Sequence, residues 1–534
     1  MIHPEFVDPP REFSLCPFWF WNDALDEAEI GRQMDDFQAH GVHAFVIHPR
    51  VGLPRSIGWM SDAMGRFVRF AVEEAARRDM WVVLYDEGMY PSGSSSGQVV
   101  AENPEFQCRG LERRGNEVIE RPIDSCIRGL HYVDEGPEED EPPAADLLNP
   151  DAVQCFIRLV YDRFRDWVGD HFGTTVKGIF TDEPSLLGRP REAGLLPGTR
   201  DIFEQVERLT GVDLSARKLE LWDEGSEARK IYDRGLRLRL EETYYAPLSA
   251  WCHSNGLDLM GHPEAPDDPS PLGFFDVPGQ DLVWRWVLPG LTAIEGPQSV
   301  QAKAAASVAK HMRRRRNSNE LCGAYGHELT FAEFKWLVDW CAVRGTNLFF
   351  PHAFYYSVRG IRRDERPPDV GPHSPWWPDF ATFARYCARL CWLNTDSEHV
   401  CEVAILEQNG IFPWEPAKAL LQNQVDFDYL SLASEREFEG RYRSIITSEI
   451  PPGLPRTLAI ESHPDLRVRH VRKAGGEFFL VHNEGPEVLD LEVEGAFTRI
   501  DPMNLSTVVL GGRLHLSPFE LALLSGGGQE TIAT

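Results

Sequence analysis

Eight times along the chain a short apolar run is followed by a long amphipathic stretch, and this alternation restricts the fold more than any other feature. A strand buried on both faces reads as a continuous apolar run, while the helix that covers it shows apolar residues every three to four positions. The runs are "CPFWFWN" (16–22), "AFVIHPR" (44–50), "WVVLYDE" (81–87) and "KGIFTDE" (177–183). They continue as "LDLMGHPE" (257–264), "LTAIEGP" (291–297), "NELCGAYG" (319–326) and "NLFFPHAF" (347–354). Between them lie helix patterns such as "MGRFVRFAVEEAARRDM" and "TFAEFKWLVDWCAVRG". Eight strand and helix units predict an α/β protein, a (β/α)8 TIM barrel. The rival, a doubly wound open sheet, opens with a glycine-rich turn when it binds a nucleotide, whereas here the first run ends in aromatic residues and Asn22.

The catalytic barrel is expected over residues 1–398, with insertions near 104–148 and 185–240. The first insertion contains the acidic run "DEGPEEDEPPAAD", read as a surface loop with a β-hairpin, and the second is mostly helical. Past residue 399 the periodicity changes, and 399–455 reads as a short α/β connector. Short alternating strands with Gly and Asn turns then predict a C-terminal all-β sandwich domain over 456–534.

A formal charge of −29 excludes a nucleic-acid partner, which would require clustered cations. The exception is "RRRR" at Arg313 to Arg316, read as the solvated end of a helix. Ten scattered cysteines without a CxxC motif read as reduced core thiols. No apolar stretch is long enough for a membrane span, and "MIHPEFVDPPREF" does not read as a signal peptide, so a soluble, cytoplasmic protein is expected, compatible with a homo-oligomer.

The strand ends of a barrel meet at one mouth. Those predicted here supply Asn22, His48, Asp86 and Glu87, Asp182 and Glu183, His262 and Glu264, Glu295, Glu320 and Tyr325, and His352. Acids close five of the eight ends, more than turn formation requires. Carboxylates and aromatic rings around a mouth suit glycoside hydrolysis, in which one carboxylic acid protonates the departing oxygen while a carboxylate attacks the sugar or activates water. Glu183 after the fourth strand and Glu320 after the seventh are the candidate catalytic pair, with Glu183 as acid and Glu320 as nucleophile or base, roles that could be exchanged. Asp86 and Glu87 are expected to hold sugar hydroxyls, with the remaining strand-end residues as candidate substrate contacts. Trp19, Trp21, Trp284, Trp286, Trp376 and Trp377 are candidate sugar platforms.

Taken together, "FWFWND", "VLYDEGMYPSG", "IFTDEP", "GHPE", "NELCGAYGHELT", "DWCAVRGTNLFFPHAFYYS" and "RRDERPP" resemble the (β/α)8 hydrolases related to glycoside hydrolase family 106, the α-L-rhamnosidase family, from about residue 14 to residue 510. The resemblance implies catalytic carboxylates at Glu183 and Glu320, and a sugar subsite lined by Asp86, Glu87, His262, Glu264 and His352.

Other readings of the same residues are weaker. Histidines at three strand ends would suit a metal-dependent barrel hydrolase, but the His-x-His after the first strand is missing. The loop "YPSGSSSGQV" (90–99) lacks the Gly-Lys-Ser/Thr of a phosphate loop. The acid-rich "GHPEAPDDPSPLGFFDVPGQD" (261–281) could hold calcium, yet its spacing fits no EF-hand, so no cofactor or metal is expected. A carbohydrate-binding barrel without catalysis would bind sugar and turn nothing over.

Overall fold

The computed structural model describes residues 2–133, 141–432, 434–438 and 440–526. Residues 134–140 of the acidic run and the last eight residues lie outside the described residues. Strands β1 (Phe18–Trp21), β2 (Ala44–Pro49), β3 (Trp81–Tyr85) and β4 (Val176–Asp182) are neighbours in one parallel sheet. The sheet continues through β5 (Asp258–His262), β6 (Val277–Val283), β7 (Ser318–Gly323) and β8 (Phe349–Pro351). It closes through β9 (Phe354–Tyr355), which pairs with β1, and through the Cys16 N–H, which donates to the Phe349 carbonyl at 3.0 Å. The fold is a TIM barrel whose eighth position is split around His352.

Side chains alternate across the barrel wall with the two-residue period of a strand. Phe18, Phe20, Val46, Tyr85, Phe180 and Phe350 fill the interior. Trp19, Trp21, Phe45, Leu84 and Ile179 point outward into the layer beneath the helices. Both tryptophans of β1 are therefore fully buried, with Trp19 Nε1 donating to Gln33 of helix α1 (Glu27–Ala39), and neither is a sugar platform.

Two sequence expectations are corrected here. The sixth strand is Val277–Val283, not 291–297; the latter stretch holds the short 3-10 turn Leu291–Ala293. Pro278 and Gly279 hide the strand signature. Gly279 is needed for close approach, since a Cβ there would come within 2.5 Å of the Gly261 carbonyl oxygen on β5. The second correction concerns the arginine run, which follows helix α2 (Gln301–His311). Arg313 is solvated, but Arg316 is only 9% exposed.

The covering helix α3 (Phe331–Arg344) starts at a capping box made by Thr330 and Glu333 and stops at Gly345, whose φ of 108° lies in the left-handed region. Within the insertions, Arg109–Arg114 and Glu117–Pro122 form a hairpin, and helices Ile202–Thr210 and Glu227–Leu240 share a small core of their own. After helix α4 (Phe380–Asn394) comes a three-stranded parallel sheet (Val403–Leu406, Asp428–Leu430, Ser444–Ile446) with one helix, Trp414–Gln422. The tail folds into a six-stranded sheet facing a two-stranded one, Leu489–Glu492 with Arg513–Leu516. Leu466, Val481, Leu491, Leu514 and Leu524 pack between them. The edge strand of the larger sheet, Glu398–His399, comes from ahead of the three-stranded unit and pairs with Leu466–Lys473.

All ten cysteines are buried and unpaired. Among the described residues no helix is long and apolar enough to cross a membrane.

Candidate active site

At the C-terminal mouth of the barrel a small cavity of about 60 Å³ is lined by Asp182 and Glu183 from the end of β4, Asp281 from β6, Glu320 from β7 and His352 after β8. Arg50, Tyr90, Arg128, Trp284 and Arg366 complete its wall. Strand ends bring these residues together because parallel strands with short loops must finish on one side of the barrel.

Glu320 is buried, and His352 Nδ1 hydrogen bonds to its Oε1. His262 Nε2, from the end of β5, lies 3.5 Å from Glu320 Oε2 and 3.1 Å from Asp182 Oδ1. Burial alone would raise the Glu320 carboxyl, but the two imidazoles outweigh it and bring its pKa down to about 2. Burial works against charge on His262 as well. Its contacts with Asp182 and Glu320 overcome this and hold the ring well above the ordinary histidine range, so it is an imidazolium between two carboxylates.

Glu183 has the opposite surroundings. Burial, followed by repulsion from Asp182, Glu264 and Glu320, outweighs the attraction of His262 and raises its carboxyl to about 8. Its φ is +34°, a region that non-glycine residues avoid and that strained functional positions often occupy. Asp281 sits abreast of Glu320 in the β6–β7 register and is also pushed well upward, first by burial and then by the Glu320 charge. A Cβ on Gly323 would lie 3.2 Å from Asp281 Oδ1 and 3.3 Å from Glu320 Oε1, so a larger residue there would crowd both carboxyl groups. Asp281 Oδ1 and His352 Nε2 are buried atoms without a hydrogen-bond partner among the described residues, which leaves two polar contacts open to a ligand.

The other strand-end residues are placed differently. Asp86 accepts from Ser92 at 2.5 Å and Tyr161 at 2.8 Å, while Glu87 accepts from the backbone N–H groups of Gly88 and residues 93–96. Their oxygens thus hold the Gly/Ser loop rather than face the cavity. Asn22 is bound to the Ser357 backbone, His48 stacks on Tyr85 behind the wall, and the Tyr325 hydroxyl donates to the Val287 carbonyl at 2.8 Å. Glu264 is exposed near Glu183. Glu295, expected at a strand end, lies outside the barrel strands and pairs with Lys418.

Sequence reasoning missed Asp281, hidden in the misread sixth strand, and two arginines of the wall, Arg128 and Arg366, which come from loops; Arg50 closes the run "AFVIHPR" at a strand end. Arg50 and Arg128 both pair with Glu365, at 3.0 and 2.6 Å. The Arg366 guanidinium lies 4.7 Å over Trp284, which is 42% exposed and faces the cavity.

Asp182, His262 and Glu320 can offer three ligand atoms within 4.8 Å of one another to a divalent cation. His262 Nδ1 sits 3.1 Å from the Pro263 carbonyl oxygen, which directs Nε2 at both carboxylates. That arrangement suits a proton or a metal. The second such group, His399, Cys401 and Asp428, is already engaged by Lys310, Tyr442 and Asp426.

A stability consequence follows from Glu183. A carboxyl whose pKa is raised in the folded state loses stabilisation as pH rises from its ordinary 4.5 toward about 8, because folding must hold a proton that the unfolded chain releases. Glu183→Gln should therefore melt at a higher temperature than wild type, by a margin that grows across this window and levels off above it. Calorimetry at a series of pH values checks this; a margin independent of pH would show that the carboxyl is not held protonated.

No protein-family model matches the chain, and no curated protein matches its sequence. Solved structures do. The chain resembles a rhamnosidase from Novosphingobium sp. PP1Y at 13% identity, TM-score 0.69, covering 99% of this chain and 84% of the other. It also resembles a β-galactosidase from Bacillus circulans sp. alkalophilus (11% identity, TM-score 0.62, 96% and 100% covered). A third match is the GH42 β-galactosidase Gan42B from G. stearothermophilus (8% identity, TM-score 0.62, 97% and 98% covered). These neighbours are glycoside hydrolases, and they share the fold of this chain.

Proposed function

We propose that the protein is a glycoside hydrolase in which Glu183 is the general acid and Glu320 the nucleophile or base. The observation that carries this reading is the contrast between two carboxyls in one pocket, one clamped as an anion by two imidazoles and the other kept protonated by burial and by neighbouring acids. Groups with diverging proton affinities divide acid and base roles between them. Glu183 would donate its proton to the glycosidic oxygen as the bond to the anomeric carbon breaks. Glu320 would attack that carbon or take the proton of an attacking water, while His262 and His352 keep it ionised. Asp182 holds the His262 ring, and Trp284 with Arg366 offers a flat face to the sugar. The fold shared with a rhamnosidase supports a deoxyhexose glycoside as the first substrate to try. No cofactor takes part in this scheme.

The test is hydrolysis of aryl glycosides, α-L-rhamnoside and β-galactoside included, followed as a function of pH. One substrate should turn over, with kcat/KM falling on the alkaline side near pH 8 as Glu183 loses its proton. Exhaustive chelation with EDTA should leave the rate unchanged; loss of activity restored by a divalent metal would assign Asp182, His262 and Glu320 to that metal instead. Sugar binding without turnover of any glycoside would make the barrel a binding protein.

A further inference from the structure

Asp86 and the loop that follows it have no part in the chemistry assigned above, yet they reach its backbone. β3 pairs with β4 only as far as Tyr85, opposite Phe180, and the Asp86 N–H then donates to the Phe180 carbonyl at 3.1 Å. There β3 has ended, while β4 runs on to Asp182. The N–H and C=O of Asp182 on this side would be left without a ladder partner at a buried position. Ser92 supplies both bonds. Its N–H donates to the Asp182 carbonyl at 2.9 Å, and its hydroxyl oxygen accepts from the Asp182 N–H at 2.8 Å.

Two acids hold Ser92 in that place. The Glu87 carboxylate accepts from the N–H groups of Gly88 and residues 93–96, so the loop that carries Ser92 is folded around it. Asp86 Oδ1 accepts from the Ser92 hydroxyl at 2.5 Å, and the Tyr161 hydroxyl donates to Asp86 Oδ2 at 2.8 Å. With its one proton given to Asp86, the Ser92 oxygen turns a lone pair to the Asp182 N–H. Asp86, Glu87, Ser92 and Tyr161 are all buried. The next residue after Asp182 is Glu183, whose φ of +34° is a conformation that persists only where the surroundings over-determine it.

We propose that Ser92, oriented by Asp86 and Tyr161, is a positioning residue for Glu183. It pins the peptide groups on either side of Asp182 and thereby sets the direction in which the Glu183 carboxyl enters the cavity. In this role Asp86 acts through the backbone, not on the sugar. The inference rests on the proposed role of Glu183 as the general acid.

The test is kcat and KM of full-length Ser92→Ala on nitrophenyl and alkyl glycosides of the sugar that wild type accepts. A nitrophenolate departs without a proton, so only the alkyl substrate reports on the acid. On the alkyl glycoside kcat should fall about 10–100-fold, the cost of a reacting group displaced by about an ångström, with KM little changed. The nitrophenyl rate should stay close to that of wild type. Tyr161→Phe removes the other support of Asp86 and should show the same selectivity at smaller size; it decides the matter if Ser92→Ala fails to fold. A uniform loss on both substrates, or none, overturns the proposal. Crystal structures of wild type and Ser92→Ala separate this inference from the glycosidase reading. If wild type turns over no glycoside, that reading falls, and the structures still decide: Glu183 moved out of its positive φ supports the positioning role, and a Glu183 carboxyl in the same place in both overturns it.

Discussion

Glu320→Gln is expected to lower turnover of every accepted glycoside by about 10²–10⁴-fold, whatever the leaving group, because it removes the group that attacks or activates water. Glu183→Gln should behave differently. An acidic aryl alcohol departs without being protonated, so this variant should retain much of its rate on nitrophenyl glycosides and lose about 10²–10⁴-fold on alkyl glycosides. The measurement is kcat/KM of both variants across a series of leaving groups. A steep dependence for Glu183→Gln with a uniform loss for Glu320→Gln supports the assigned roles, and the reverse pattern exchanges them. The double variant should be little worse than the poorer single one, since the two groups act in one step. Wild-type rates from both variants would place the chemistry elsewhere.

The second large effect concerns stability. Glu484→Ala should destabilise the protein by about 3–5 kcal/mol, the usual consequence of breaking a buried ion pair from one side. Glu484, just after the tail strand Gly476–Asn483, is buried between Arg344 of α3, at 2.5 Å, and Arg467 of the neighbouring strand, at 2.8 Å. Its backbone carbonyl accepts from Trp336 of the same helix at 3.3 Å. Removing the carboxylate strands two buried guanidiniums exactly where barrel and tail meet. Burial would raise this carboxyl, but Arg344 and Arg467 bring it below its ordinary value. The stabilisation is therefore complete above the ordinary carboxylate pKa and is lost as pH falls through the lowered value. Denaturant titration of wild type and variant at neutral pH measures the cost. A difference under about 1 kcal/mol would mean that apolar packing alone holds the junction.

Much of the barrel was legible because strands buried on both faces leave uninterrupted apolar runs, as "WVVLY" does in β3. β6 was not, because Pro278 and Gly279 serve a close approach between strands rather than apolar packing, and the apolar "LTAI" nearby imitates a strand. Asp281 was lost with it. Strand ends brought out Glu183, Glu320, His262 and His352, since the position of a residue at a barrel strand's end follows from the strand itself. Direction was harder to read: Asp86 and Glu87 end β3 equally well, but Glu87 turns toward the N–H groups of residues 93–96 and Asp86 toward the Ser92 and Tyr161 hydroxyls. Arg128 and Arg366 join Arg50, which closes β2, only through tertiary folding of two separate loops, and no local pattern announces such a meeting.

The pairing of Glu398–His399 with Leu466–Lys473 has a practical meaning for anyone cutting this gene into pieces. A fragment starting near residue 456 would strip the edge partner from His470–Arg472 and leave backbone donors and acceptors there open, a template for strands of other molecules. During synthesis the same two residues wait, unpaired, until the whole three-stranded unit has left the ribosome. The tail is thus stitched to the barrel by a thread that runs past an entire intervening unit, and an excision that respects this begins before Glu398.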